Sequence, residues 1–503
     1  MFNKLSSQIE KTFCKIVIWI ALPVVLLLTL QAFIVKVRIT ISERTDFYFQ
    51  DWWQYILVLA AFLGILFLVK KMWSQREIPI LVVGVITILY VVAMIAIVIS
   101  MKVVPRADQQ IVLQVADQFA NGDYSAWTKG NYCDMYTNQD GLILLFSILS
   151  RLWGANNWMA YQIVNVFLIV LAAWGMKQMI QFLFSDNTLA VISYLALLLY
   201  MPMNGYVTFV YGTLPGLVCA VWGSYLVLVS CKRGCVKTGI GGAFLLAFAC
   251  VWKSNYWIVL IGVCIVIFCN FVKKRKMVFL FPLALVISLS VLLNGAIAAY
   301  MNATTGASPE RGIPSTAWMA MGLQEEGTKA VGWYNGYTKK VYAENGFDKN
   351  KADIQAKKSI KESLSHMLSD KRQGVMFFGQ KIASEWNEAT FESVWINQLR
   401  EQSQTMPRWI MSLLDDNSVL HKIYVKLCDF LLFLIWVGLL LFLWMKRKDS
   451  DIGSLLWIIV FLGGFLFHMF WEAKGQYTLI YVWLCIPYAL HGYQLFISRF
   501  NRT

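Results

Sequence analysis

Along the chain, apolar residues gather into long runs separated by short polar clusters, with little of the strict alternation that marks half-buried strands. Runs of about 17–25 apolar residues are long enough to cross a bilayer as helices. About twelve can be marked, at 16–35, 53–70, 78–101, 158–182, 189–205, 213–231, 238–252, 255–272, 276–300, 425–445, 453–471 and 478–497. The pair 238–252 and 255–272 is short and tightly joined. The first run is longer than a typical signal core and lacks a small-residue cleavage site, which predicts a retained span. The expected fold is all-α: a polytopic transmembrane bundle of about 12 spans, with interfacial helices and a large extracytoplasmic loop subdomain.

The same pattern divides the chain. Three spans fill 1–101, a first large loop with interfacial helices covers 102–157, and a six-span core occupies 158–300. A second large loop, 301–424, is long enough for a subdomain, and three spans close the chain over 425–503. In the second loop, Ile354, Ile360, Leu364 and Leu368 predict a helix from Asp353 to about Leu368, and "VMFFGQKIASEWNEATFES" suggests a second.

Composition and charge set class and orientation. At 58% hydrophobic and 15% charged residues, the 503-residue chain is too apolar for a soluble protein. Lys and Arg concentrate in alternate short connections: Lys4, Lys11 and Lys15; Lys70, Lys71 and Arg76; Lys232, Arg233 and Lys237; "KKRK" at 273–276; "KRK" at 446–448; Arg499 and Arg502. The excess of basic residues on one side predicts both termini in the cytoplasm and both large loops outside, in a multi-pass membrane protein expected in the plasma membrane if the family resemblance given below holds. The net charge of +15 is then a topology signal, and its dispersal argues against a nucleic-acid partner. Ten cysteines offer only a Cys231–Cys235 pair with no companions, and four histidines do not suggest a metal centre.

Three places carry candidate chemistry. Asp108 follows the third apolar run by seven residues, either as a base or metal-binding carboxylate or as a plain loop acid beside Arg106. The helical stripe from Ala107 to Gly122 puts Asp108 and Asp117 about 900° apart in rotation, hence on opposite faces. Lys253 stands in "VWKSNYW" between two short spans, where a charge is costly and often marks a polar substrate site, unless it snorkels. "FHMFWEAKGQYTL", 467–479, gathers Glu472, Lys474 and Tyr477 beside Phe470 and Trp471 between the last two spans, either as part of a site or as an aromatic belt with an interfacial ion pair. An amphipathic run over 141–153 is too short to span and is expected to lie in the interface.

This layout resembles the GT-C superfamily of polytopic glycosyltransferases, especially bacterial members related to protein mannosyltransferases. In those enzymes a membrane helix leads to an outer loop with an early catalytic Asp, followed by an interfacial helix. "RADQQ" at 106–110 and "YCDMYTNQDG" at 132–141 fill those places, and "CVWKSN" at 250–255 resembles their Lys-containing turn. "GIPSTAWMAMGL", "GWYNGY" and "FWEAKGQY" resemble segments of cell-envelope members from Gram-positive bacteria. The resemblance implies transfer of a sugar from a polyprenyl-phosphate carrier to a cell-envelope glycan, lipid or protein, with inversion. It implies Asp108 as catalytic base, and Lys253, Lys474 and Arg106 as donor-phosphate partners. Asp134, Tyr136, Gln139, Arg311, Trp333, Glu472 and Tyr477 are the implied donor or acceptor contacts, and Trp333, Tyr334 and Trp386 would cover the acceptor. Gln109 stands where many relatives have a second acid, so no metal ligand is assigned, and a Mg2+ or Mn2+ cofactor stays open.

Two other classes stay open. An envelope polysaccharide polymerase or ligase would be expected to rely on loop arginines, whereas lysines predominate here. A secondary transporter or flippase would show an inverted repeat with broken helices, and no repeat stands out.

Overall fold

In the computed structural model of the chain, which describes residues 2–73, 78–274, 279–326, 329–398 and 406–500, helices form nearly every element. Nine helices among the described residues are long and apolar enough to cross a membrane: Gln8–Ile34, Ile80–Met101, Trp158–Phe184, Thr213–Arg233, Tyr256–Lys273, Leu280–Thr305, Val419–Lys446, Gly453–Phe470 and Gly475–Arg499. A tenth candidate is a bent pair, Asn187–Leu198 and Met201–Thr208, which turns by 51°. The chain restarts there with Pro202 in the first turn, a position where a missing N–H costs little. Two further apolar helices, Trp52–Leu68 and Val236–Trp252, are shorter. The chain is an all-α, multi-pass membrane protein. Arg76, Arg275, Lys276 and Arg502, used above for orientation, lie outside the described residues.

Burial separates the centre of the bundle from its edge. The last helix hides 78% of its most apolar window inside the protein, whereas Ile80–Met101 hides 22% and turns Ile80, Leu81, Ile88, Leu89 and Val92 outward. Apolar side chains facing out are what a lipid solvent permits.

At one end of the bundle the long loops fold onto the helices. Helices Lys349–Ser369 and Lys371–Trp386 form where the apolar spacing predicted them. The second drives Trp386, fully buried, among Trp436, Phe461, Phe465 and Tyr481 of three bundle helices. Aromatic packing of this kind contributes beyond the area it buries. The 141–153 run is helical over Asp140–Trp153. One element departs from the expectation: Val35–Ile39 pairs antiparallel with Thr45–Phe49, from Val35 opposite Phe49 to Ile39 opposite Thr45. Five-residue strands of mixed charge leave little periodic signal, so sequence reading weighed this segment only by its charges.

Candidate functional site

Asp108 is held by its neighbours on both sides. The Arg106 guanidinium donates to the carbonyl oxygens of Gln398 (3.0 Å) and Trp395 and stacks 3.9 Å from the centre of the Trp395 indole. Ala107 then adopts φ +52°, a strained conformation for a residue with a Cβ. Asp108 opens the helix Asp108–Ala120, whose N-terminal dipole favours a carboxylate. That helix is fixed by its buried face of Val112, Leu113, Val115, Ala116 and Phe119, and by Gln109, whose Oε1 accepts the Val210 N–H at 2.8 Å.

The Asp108 side chain is open to solvent, yet burial by surrounding protein pushes its pKa up, opposed by the positive charges of Lys474, Lys339 and Lys253. A group that touches solvent while protein crowds it lines a recess. The expected opposition of Asp117 is met: it accepts bonds from the Ser150 hydroxyl (2.5 Å) and the Asn156 N–H (2.8 Å), a structural role on the other face.

Lys253 ends the short helix Val236–Trp252 in an extended conformation. The segment from Tyr211 to Thr213 lies directly against it, because Gly212 lacks the Cβ that would collide with the Trp252 carbonyl oxygen. Lys253 Nζ donates to Thr213 Oγ1 at 3.1 Å and sits 5.0 Å from the Tyr211 ring and 5.4 Å from the Tyr477 ring. The lysine is 7% exposed, and desolvation lowers its pKa to about 8, with Glu392 and Asp108 opposing the fall. It is therefore not a snorkelling lysine but an inward one.

The turn between the last two helices supplies the third group. Lys474 Nζ bonds Glu43 Oε1 at 3.2 Å, and Glu43 Oε2 accepts from Lys329 at 2.9 Å. Burial alone would lower the Lys474 pKa, but Glu392, Glu43 and Glu472 together hold it above the ordinary lysine value. Tyr477 donates to Glu472 Oε2 at 3.4 Å, and burial pushes the Glu472 carboxyl up to about 7 against Lys474. The turn itself is clamped by Lys381, fully buried, which donates to the carbonyl oxygens of Trp471 and Gly322, each at 2.6 Å. Gly322 is required there, since a Cβ would strike the Trp471 carbonyl.

Asp108, Lys253, Lys474, Glu472 and Tyr477 thus converge, and Tyr136 joins them, close enough for the charges of Asp108 and Glu472 to act on its phenol. Gln139 reaches the cluster only through its bond to the Tyr211 hydroxyl. The other expected contacts are engaged elsewhere. Arg106 is tied to the 395–398 backbone. Asp134 accepts the Gly130 N–H at 2.9 Å, and Arg311 pairs with Asp140 at 2.6 Å and with Asn302. Trp333 is 2% exposed with its N–H on Ser384, and Trp386 is fully buried among the bundle helices, so both serve packing and neither is free to stack on an acceptor. Tyr334 remains half-buried.

Sequence reasoning missed Glu43 and Glu392. The usable signal for the latter was chemical: "EWNEATFESVWINQ", 385–398, holds three glutamates and no basic residue. All three are buried, and their counter-charges must come from elsewhere in the fold. No group of three or more His, Cys, Asp or Glu side chains among the described residues has the arrangement to hold a metal ion. No family model matches the chain, and neither does a curated protein or a solved structure.

Proposed function

We propose that the chain is a membrane glycosyltransferase of GT-C type that works at the extracytoplasmic face of the plasma membrane, across a bundle of about 12 spans. It moves a sugar from a polyprenyl-phosphate carrier to a hydroxyl of a cell-envelope acceptor, with inversion. The observation that carries the reading is a solvent-reachable carboxylate, Asp108, within the field of the inward lysines Lys253 and Lys474 beside the ends of membrane helices. Asp108 takes the proton of the acceptor hydroxyl as its oxygen attacks the anomeric carbon. The bond from that carbon to the phosphate oxygen breaks, the electron pair leaves with the carrier phosphate, and Lys474 and Lys253 meet the growing negative charge. Inversion requires no carboxylate nucleophile, and a phosphate leaving group stabilised by lysines departs without a general acid, so one basic carboxylate suffices. Glu43 and Glu392 keep Lys474 charged, and Arg106, through the 395–398 backbone, holds the segment that aims Asp108.

A transporter would pair broken helices across the membrane midplane. One bent pair is present among the described residues, so a binding-and-release cycle has less support than chemistry at one end. The test is the envelope glycan composition of cells carrying wild type, a deletion, or Asp108→Asn at matched protein level. The expected result is loss of one sugar decoration in both altered strains, with its polyprenyl-phosphate sugar accumulating. Unchanged glycans in the deletion strain would sink the transferase reading.

A further inference from the structure

Behind the Asp108 recess lies a second opening that the reaction does not use. A cavity of about 320 Å³ runs between the Val35–Phe49 hairpin, the 388–398 segment and the start of the Val419–Lys446 helix. That volume is at the lower end of ligand pockets, which span about 300–1,000 Å³. Glu392 and Trp395 line the cavity, and the Glu392 charge also acts on Lys474 and Lys253. The Trp395 indole, which carries Arg106 on its face, also lies 5.4 Å from Lys474 Nζ. The cavity and the reacting groups are therefore one side chain apart.

Glu392 is the unusual member of the wall. It is 2% exposed, its backbone is left-handed at φ +61°, and so is that of Phe391 before it at +49°. Glu388 stabilises this turn, its carboxylate accepting the Thr390 N–H and hydroxyl and the Glu392 N–H. Neither carboxylate oxygen of Glu392 makes a full hydrogen bond, the Gln476 N–H at the head of the last helix being its nearest weak donor. A buried carboxylate left in that state at a cavity wall is short of donors.

The rest of the lining decides what could supply them. Acids Asp46, Glu388 and Asp416 face bases Lys36, Arg38 and Lys422, so the cavity has no dominant sign. Arg38 is already committed to Asp429, and His421 to Asp416 at 3.5 Å, which leaves little positive charge for a phosphate. Tyr48, 55% exposed, gives a flat face; the Thr390 hydroxyl and the Gln398 amide, which donate to Glu388 and to Leu414 and Asp416, keep oxygen atoms that can accept. Acceptor-only carboxylates, donor-only lysines and an aromatic face together fit a ligand whose every hydroxyl donates and accepts on a ring with an apolar side. We propose that this cavity binds an uncharged sugar ring of the acceptor, with Glu392 accepting hydrogen bonds from its hydroxyls. The proposal rests on the transferase reading for its purpose but not for its occupancy.

The experiment uses purified full-length protein carrying Lys422→Cys at the cavity wall, with the exposed native Cys235 as internal reference for maleimide labelling. The probes are methyl hexosides and methyl N-acetylhexosaminides at millimolar concentration, against inorganic phosphate and phosphatidylglycerol micelles. The expected result is at least a threefold slowing at position 422 by one glycoside, none at Cys235, and loss of that protection when Glu392→Gln is added. Protection by phosphate or phosphatidylglycerol alone would make the cavity an anion site, and no protection by any glycoside would also overturn the proposal. Protection that persists in a protein whose deletion alters no glycan retains the sugar site and removes the transferase. A transferase whose Glu392→Gln variant keeps full acceptor-dependent transfer does the reverse. If Glu392→Gln fails to fold, Tyr48→Ala on the exposed rim carries the same test.

Discussion

Asp108 and Asp140 make an instructive pair. Both lie in the same stretch between the helices Ile80–Met101 and Trp158–Phe184, both begin a helix, and burial pushes both carboxyls up. Their partners differ. Asp140 receives the Trp127 indole N–H at 3.2 Å and the Arg311 guanidinium at 2.6 Å, and both members of that ion pair are buried. Asp108 faces Lys474, Lys339 and Lys253 as field rather than as bonded partners, and it stands behind a strained Ala107. A satisfied acid in an ion pair holds parts of a fold together. An acid kept near cations but open to solvent is prepared for a ligand.

The sharpest way to break this comparison is to neutralise each acid in turn. Asp108→Asn removes a base while keeping the shape, and general-base catalysis contributes about 10²–10⁴-fold. The expected outcome is transfer reduced about 10³-fold, with thermal unfolding of the purified protein unchanged. A variant that retains a tenth of the activity would make Asp108 an ordinary helix-opening acid.

Lys474→Met comes next. Removing one charge-stabilising donor costs about 10²–10³-fold in the rate of the chemical step. It also leaves Glu43 with Lys329 alone, so loss of stability should accompany it. Lys474→Arg keeps the charge and should restore stability better than activity. Equal recovery of both would reduce Lys474 to a structural tie.

The pH dependence is the third test. With its pKa brought down to about 8, Lys253 is charged below that value, so transfer should fall as pH rises through about 8. Stability runs the other way. Between about 8 and the ordinary lysine value of 10.5 the unfolded chain binds the proton that the folded chain has released, so this group's contribution stabilises the fold as pH rises. A rate–pH profile flat from 7 to 10, with a thermal-unfolding series showing no such rise, would remove Lys253 from the donor-phosphate site.

The two acids also mark what a sequence can and cannot disclose. Long apolar runs state their own element, and the helices at 158–184 and 419–446 follow directly from them. Asp108, Lys253 and Lys474 stood out in the sequence because each is a charge next to long apolar runs, where it is costly, and the fold brings their charges within reach of one another. Glu43 was not, since its loop balances three bases with three acids and looks like any solvated connection. Its role comes from a turn that meets residue 474, more than four hundred positions away, and long-range contact of that kind has no local pattern. Trp333 was misleading for a related reason: an aromatic in a polar loop reads as a stacking surface until it is seen to pack against Ala473 and Ile39, which are remote in sequence.

Arg311 gives the smallest effect on chemistry and the cleanest control. Removing one partner of a buried ion pair leaves the other charge stranded and costs about 3–5 kcal/mol, whereas replacing both is often close to neutral. Arg311→Met alone should therefore lower the unfolding temperature markedly, and Arg311→Met with Asp140→Asn should recover much of the loss, because asparagine can still accept the Trp127 N–H. Transfer per folded molecule should stay within about twofold of wild type in the double variant, since Arg311 bonds Asp140, Asn302 and the Cys133 carbonyl rather than the Asp108 recess. If activity per folded molecule instead falls as far as in Asp108→Asn, the satisfied acid and the open acid belong to one site. The distinction drawn between bonded and field-coupled carboxylates then fails for this protein.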